Sequence, residues 1–341
     1  MEDREPTPRP DGRTAPVLVV ALGGNAISRE GDEPSVAAQY VRTRETARLL
    51  APLLTSGDWR AVITHGNGPQ VGNILLRSDL AAEARELPRL PVDAAVADTQ
   101  GAMGYMIQQC LWNGLRAVGA DLRTATVVTR VVVDADDPAF ENPTKPIGRH
   151  YPADQADEVA SLHGWQMEED AAGRGFRRVI ASPRPHAIIE VDVVRHLLDR
   201  DVVVIACGGG GVPVVREPSG DLTGVDAVVD KDLASSLLAR ELGASAFAIV
   251  TDVEHVYADF GTPQARALEE VDAAELRAMV DAGSFPAGSM GPKVEAVLAF
   301  LERNPAGNAV ITSPERLVDA LAGRGGTRVR AAGSVRAAPS P

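Results

Sequence analysis

Residues 17–27 read VLVVALGGNAI. A six-residue apolar run, half of it valine, suits a strand buried on both faces, and the paired glycines end it. Two later stretches repeat the arrangement: VITHGNGPQVGN at 62–73 and VVVIACGGGGVPVV at 202–215. In open α/β sheets, ligands bind beyond the carboxyl ends of the strands. Glycine at that point lets backbone N–H groups approach an anion, and a following helix N-terminus adds its dipole. One such turn could be a tight turn and nothing more. Three in one chain, two of them carrying Asn (Asn25 and Asn67), read as an anion cradle.

Working outward, further short runs at 61–64, 126–133, 247–251 and 308–312 read as strands. Between them, residues 36–56, 93–118, 230–242, 272–282 and 291–303 carry apolar residues at helical spacing. This alternation is the βα pattern of a mostly parallel sheet. Residues 134–181 break the rhythm with Pro, Gly and charge, and read as an inserted subdomain or mobile flap without its own core pattern. The polar, Pro-rich start (1–15) and the small, polar end (323–341) are expected to lack fixed structure.

The chain has 341 residues and a formal net charge of −13, which disfavours nucleic acid or an anionic membrane as partner. No apolar run approaches the length of a membrane span, and the N-terminal residues lack the apolar segment of a signal peptide. Two cysteines, Cys110 and Cys207, form no disulfide framework, and neither they nor the six histidines show metal-ligand spacing, so no protein-held metal is expected. A reducing cytoplasm fits this usage. The usual phosphate signatures are missing: GGGGVPVV is not a P-loop, and no turn carries the dinucleotide fingerprint.

Cations must then come from elsewhere. Of 34 Lys plus Arg, only Lys145, Lys231 and Lys293 are lysine. Compositional bias explains their scarcity but not their positions. Lys231 lies between Asp230 and Asp232, Lys293 at a Gly-Ser turn opening a helix, and Lys145 in the insert within ENPTKPIG. A solvated surface lysine is readily replaced by Arg, whereas a compact ammonium that follows a moving phosphoryl group is not. Asp230 and Asp232 would hold Lys231 or meet Mg²⁺, or simply favour a helix N-terminus. The residues point to a kinase without a P-loop. His65 reads as a strand-end structural residue and Cys207 as a small buried filler.

The motifs ALGGNAI, THGNGPQVGN, DTQGAMGY, ENPTKPIG, EDAAGRGFRRVIASPRP, CGGGGVPVV, VDKDLAS and GSMGPKVEA, in order over about residues 17–312, resemble the carbamate kinases of the amino-acid kinase family. The resemblance implies a three-layer α/β/α sandwich around a mainly parallel open sheet, with a protruding inserted subdomain at about 134–181. It implies a kinase-type domain over 16–322, divided into a substrate lobe (about 16–200) and a nucleotide lobe (about 201–322). It further implies a homodimer, MgATP or MgADP, and reversible phosphoryl transfer between ATP and carbamate, as in arginine catabolism. Carried over by position, Gly23, Gly24 and Asn25 hold the transferring phosphoryl group, and Gly66 and Asn67 the carbamoyl end. Lys231 and Lys293 bridge the phosphates, Asp232 organises them, and Lys145 reaches in from the insert. Gly209, Gly210, Asp230, Asp252, Val253, Tyr257 and Met290 fall to the nucleotide. Two rivals stay open: a related kinase acting on acetylglutamate or a nucleoside monophosphate, and a catalytically idle nucleotide sensor. The first lacks the NPTKPIG insert, and retention of the lysines and DKD weighs against the second.

Overall fold

In the computed structural model, residues 14–28, 33, 35–170, 173–285 and 290–331 are described. In chain order, β1 (Val17–Leu22) leads to α1 (Val36–Thr55), and β2 (Arg60–His65) to α2 (Gly68–Glu83) and α3 (Val92–Ala117). β3 (Arg123–Thr126) and β4 (Arg130–Val133) follow. The insert holds β5 (Lys145–Tyr151), α4 (Ala153–His163), β6 (Gln166–Glu169) and β7 (Phe176–Ile180). β8 (Pro185–Ile188), α5 (Val191–Leu198), β9 (Val202–Ile205), β10 (Val212–Arg216) and β11 (Leu222–Gly224) return the chain to α6 (Lys231–Glu241) and β12 (Ala246–Val250). β13 (Val256–Ala258), β14 (Arg266–Leu268), β15 (Glu270–Asp272), α7 (Ala273–Asp281) and α8 (Met290–Arg303) come next. The last elements are β16 (Asn308–Thr312), α9 (Leu317–Leu321) and β17 (Thr327–Arg330).

The main sheet has the order β15-β17-β16-β12-β1-β2-β9-β3. From β16 to β3 all neighbours are parallel; β17 is antiparallel to β16, and β15, parallel to β17, runs against the rest with it. β1 shows how the layers are built. Val17, Val19 and Ala21 pack into one core with α5, α6 and α8. Leu18, Val20 and Leu22 pack into the other with α1, α3 and α9. A strand's side chains alternate between faces, so one apolar run feeds two cores. Each valine or leucine among them contributes roughly 1.5–3 kcal/mol on full burial, against about 0–1 kcal/mol for an exposed ion pair. The layers are held by the sheet's apolar faces. The expected three-layer α/β/α sandwich is the observed one.

Four expectations change. The run 126–133 is not one strand: β3 ends at Thr126 and β4 joins a second sheet, β11-β10-β4-β8. The break is made by Gln100, whose amide donates to the Thr129 carbonyl at 3.0 Å and accepts from the Thr129 N–H at 2.9 Å, while that carbonyl also accepts from the Val212 N–H of β10 at 2.8 Å and so already belongs to the second sheet. The division near residue 200 also fails as a spatial boundary, because β9 lies between β2 and β3 and so completes the N-terminal half of the sheet. The end of the chain is less tail-like than expected. Thr327 and Val329 are buried while Arg328 and Arg330 point outward, and this alternation places β17 inside the main sheet. Finally, the insert does share a core. Ile147 and Ile180 pack with Val71 and Leu75 of α2 and with Val96 of α3. The expected absence of fixed structure at the two ends falls mostly on residues 1–13 and 332–341, outside the described residues.

Candidate active site

Lys231 is the first residue of α6, and the preceding Asp230 caps that helix. Asp230 Oδ1 accepts from the amides of Asp232 (2.9 Å) and Leu233 (3.3 Å), donors that a helix start leaves without partners. Its other oxygen, Oδ2, accepts from Lys145 Nζ at 3.2 Å. Asp232, only 2% exposed, takes an ammonium on each oxygen. Lys231 Nζ donates to Oδ1, and Lys293 Nζ, reaching from α8, donates to Oδ2 at 3.4 Å. All three lysines of the chain therefore meet over one helix N-terminus.

Burial by itself would raise the Asp230 carboxyl. Lys145 and then Lys231, with the hydrogen bonds from Lys145 and the Asp232 amide, outweigh it and hold the group below the ordinary carboxylate range. The backbone of Lys231 is fixed as well. Ser235 Oγ donates to the Lys231 carbonyl at 2.6 Å, and Thr64 Oγ1 lies 2.6 Å from Ser235 Oγ. Ser235 has one proton and spends it on the carbonyl, so Thr64 is the donor of the second bond. The end of β2 is thus fastened to the first turn of α6. Its next residue, Gly66, leaves room for the Lys231 stem, since a Cβ there would stand 3.1 Å from Lys231 Cδ.

The lysines and aspartates form one wall of a cleft of about 280 Å³ at the carboxyl ends of β1, β2 and β9. Gly24, Gly66, Asn67 and Gly209 line the rest with the start of α2. Asn67 Nδ2 donates to Thr99 Oγ1 at 2.8 Å, and Thr99 in turn donates to the Val96 carbonyl at 2.6 Å. Gly209 has φ +66°, and a Cβ on it would overlap the Asn67 amide. Glycine is required there twice over.

A second cavity of about 230 Å³ opens at the end of β12. Asp252, Val253, Tyr257, Phe260, Met290 and Lys293 are among its lining residues. The Tyr257 and Phe260 rings lie 6.1 Å apart between centroids, giving the cavity an aromatic side. Lys293 lines both cavities, so a molecule with a flat apolar end in the second can extend an anionic end past Lys293 into the first.

A family profile, that of the amino acid kinase family, matches residues 16–313. The chain belongs to the amino acid kinase family. Within this family, a carbamate kinase from Thermococcus kodakarensis is 46% identical over 312 residues, which is 92% of this chain and 98% of that protein. A carbamate kinase-like protein from Escherichia coli, YahI, is 46% identical over 314 residues, with 92% and 98% covered. The solved structure of carbamate kinase from Giardia lamblia bound to AMP-PNP superposes with a TM-score of 0.86 at 40% identity, covering 93% of this chain and 99% of that one. Among amino acid kinases, then, this chain groups with the carbamate kinases, and it is a phosphotransferase.

For an amino acid kinase of this branch, the cleft gathers most of the residues expected from sequence. Lys145, Lys231, Asp232, Lys293, Gly24, Gly66 and Asn67 line it, and Asp252, Val253, Tyr257 and Met290 line the adjoining cavity. Gly23 does not line the cleft. Its N–H donates to the Val250 carbonyl at 2.8 Å, and a Cβ would stand 2.7 Å from that oxygen, so it serves the close approach of β1 to β12. Gly209 and Asp230, expected to bind the nucleotide, sit in the cleft with Asn67 and Lys145 and do not line the aromatic cavity. Gly210 lines neither cavity; with φ +92° it packs under the Val229 carbonyl. The Asn25 side chain and residues Gly288 and Ser289 of the GSM turn lie outside the described residues.

His65 and Cys207 are both buried beneath the cleft. Burial, opposed by the Gly66 carbonyl and aided by the Lys231 charge, lowers the His65 imidazole to about 4. Its Nδ1 lies 3.0 Å from the Gly66 carbonyl, which can only accept, so Nδ1 carries the proton of a neutral ring. Burial raises the Cys207 thiol, with Glu241 and Glu190 adding to it, so it is no thiolate nucleophile. Sequence reasoning missed Thr64, Thr99 and Ser235. Thr99 and Ser235 stand within the motifs DTQGAMGY and VDKDLAS, but hydroxyls that bond within the protein leave no spacing signature.

Proposed function

We propose that this chain transfers a phosphoryl group between ATP and carbamate, reversibly, giving ADP and carbamoyl phosphate. The observation that carries this reading is Asp232 held between Lys231 and Lys293, with Lys293 shared by both cavities. Two ammonium groups on one buried carboxylate form a rigid positive edge where a phosphoryl group would pass from nucleotide to acceptor. Phosphoryl transfer asks a protein mainly for positioning and charge stabilisation.

The nucleotide base and ribose take the aromatic cavity, with Asp252 at the ribose and the phosphates running past Lys293. Carbamate lies by Gly66, Asn67 and Lys145. A carbamate oxygen attacks the γ-phosphorus as the bond to the ADP oxygen breaks, and no general base is needed because that oxygen is already anionic. The neutral His65 and the buried Cys207 are accordingly left out of the chemistry. Gly24 and Asn25 receive the moving phosphoryl group through their backbone N–H groups, the next three amides being bonded to the Gly23 and Gly24 carbonyls.

Mg²⁺ enters with the nucleotide and neutralises phosphate charge. Among the described residues no group of three or more His, Cys, Asp or Glu side chains is placed to hold a metal. Both Asp232 oxygens already face lysines, which suits an ion held chiefly by the nucleotide's own phosphates. A homodimer is part of the same reading: Tyr105 and Trp112, seven residues apart on α3, and Val128 beyond the edge strand β3 expose apolar surface next to an open sheet edge. A reducing compartment such as the cytoplasm suits the two free, buried cysteines. No helix among the described residues is long and apolar enough to cross a membrane.

The test is coupled ATP formation from ADP with carbamoyl phosphate, beside acetylglutamyl phosphate and a nucleoside diphosphate as donors. ATP formed from carbamoyl phosphate alone supports the reading. ATP formed only from another donor, or from none, overturns it.

A further inference from the structure

Asn67 occupies the cap position at the start of α2, where an Asn side chain ordinarily accepts from the helix's first free amides. It does not do so here. Its side chain makes no cap bond, and its backbone (φ −139°, ψ 12°) lies outside the extended region usual for caps. Thr99 of α3 is the reason. Thr99 Oγ1 stands 2.6 Å from the Val96 carbonyl, which can only accept, so the hydroxyl's one proton goes there. Toward Asn67 the same oxygen is then an acceptor, and the amide end 2.8 Å from it must be Nδ2. Both side chains are buried, and Gly209 closes over the amide so tightly that a Cβ on it would overlap the amide atoms. The amide can neither turn over nor swing to the helix.

Oδ1 is the end left over. It has no hydrogen-bond partner among the described residues, and Asn67 lines the cleft. Asp230 and Asp232 line the same cleft, but their oxygens are already bonded to amides and lysines. Gln70 lines it too, yet no bond among the described residues fixes which end of its amide faces inward. A fixed acceptor set among lysines sorts a small planar ligand by its edges: oxygens go to the cations and an N–H goes to Oδ1. We propose that Thr99 is a positioning residue that sets the choice of acceptor. By holding Oδ1 toward the cleft it makes the site select the amino group of carbamate over the methyl group of acetate. This rests on the acceptor lying by Asn67 in the proposed reaction. Pinning the amino group there also leaves an oxygen, and not the nitrogen, to face the phosphorus.

The experiment measures ATP formation from ADP with carbamoyl phosphate and with acetyl phosphate, which has a methyl in place of the amino group. The parent, Thr99→Val and Thr99→Ser are compared. The ratio of kcat/KM for carbamoyl phosphate to that for acetyl phosphate should fall about tenfold or more in Thr99→Val, the scale of one oriented hydrogen bond. The fall should come chiefly from the KM for carbamoyl phosphate, with ADP affinity unchanged. Thr99→Ser keeps the hydroxyl and should keep the parent's ratio. Should Thr99→Val not fold, Asn67→Leu, which has the amide's shape without its oxygen, should lose the ratio in the same way. An unchanged ratio in the variant overturns the inference. So does an equal loss on both donors, which is what a merely structural threonine would give. A parent that uses both donors equally overturns it too, while phosphoryl transfer to carbamate stands. A parent that uses neither overturns the proposed reaction, and this inference falls with it.

Discussion

Lys145 Nζ stands 3.2 Å from Asp230 Oδ2, although 85 residues separate them in the chain. The contact ties the insert to the helix start that carries Lys231. It has support beside it, because Gly72 of α2 and Gly148 of β5 approach so closely that a Cβ on Gly72 would stand 3.3 Å from the Gly148 backbone. Pro143 and Pro146 restrict the backbone on either side of Lys145, which lowers the entropy lost in placing its tip. The insert therefore supplies Lys145, Pro146 and Ile147 to the lining of the cleft.

Lys145→Ala should raise the KM for carbamoyl phosphate and lower kcat, while ADP affinity stays near that of the parent. The aromatic cavity does not include Lys145. Steady-state kinetics with a separate ADP titration check this. A collapse of ADP affinity with an unchanged KM for carbamoyl phosphate would mean the insert serves the other substrate.

Lys231→Met should lower kcat by about 100- to 10,000-fold, the range for removing one charge stabiliser of a transition state. Lys231→Arg should do almost as badly. The Lys231 stem runs in contact range of Gly66 and its head is fixed on Asp232, which leaves a planar fork no equivalent place. Rescue by Arg to within threefold of the parent would show that charge alone matters.

Gly209→Ala should cost about 1–3 kcal/mol in urea unfolding, since alanine at φ +66° is strained. The added methyl also displaces the Asn67 amide, so the KM for carbamoyl phosphate should rise more than the KM for ADP. If both constants stayed put in a destabilised variant, Asn67 would have no part in holding that substrate.

His65 sets a pH dependence of stability whose sign can be worked out. Its folded value of about 4 lies below the ordinary 6.5, so between these values the unfolded chain binds a proton that the folded chain does not. Stability from this group is full above about 6.5 and falls as pH drops towards 4, by roughly 3 kcal/mol in all. His65→Gln keeps a donor for the Gly66 carbonyl and cannot titrate. Comparing urea unfolding of both proteins at pH 7 and pH 5, the variant should lose less stability on acidification. Equal losses would rule out His65 as the source.

The local elements and the residue types of the site were legible in the chain by itself. Val17–Leu22 had to be a buried strand because nothing in it can face water, and GGNAI had to end it because paired glycines stop a strand. Three lysines among thirty-one arginines marked the cations, since scarcity turns position into information. Register and partnership were not legible, because they depend on neighbours distant in sequence. TVVTRVVV looks like one strand until Gln100 of α3 takes both backbone groups of Thr129. TRVR at 327–330 looks like a polar tail until β15 and β16 bury its Thr and Val. Gly209 reads like Gly24, yet one makes room for Asn67 and the other faces open space. Asp230 reads like Asp232, yet one caps a helix and meets the insert while the other joins two lysines from helices α6 and α8. Local chemistry chose what each residue could do, and long-range packing chose which partner it did it with.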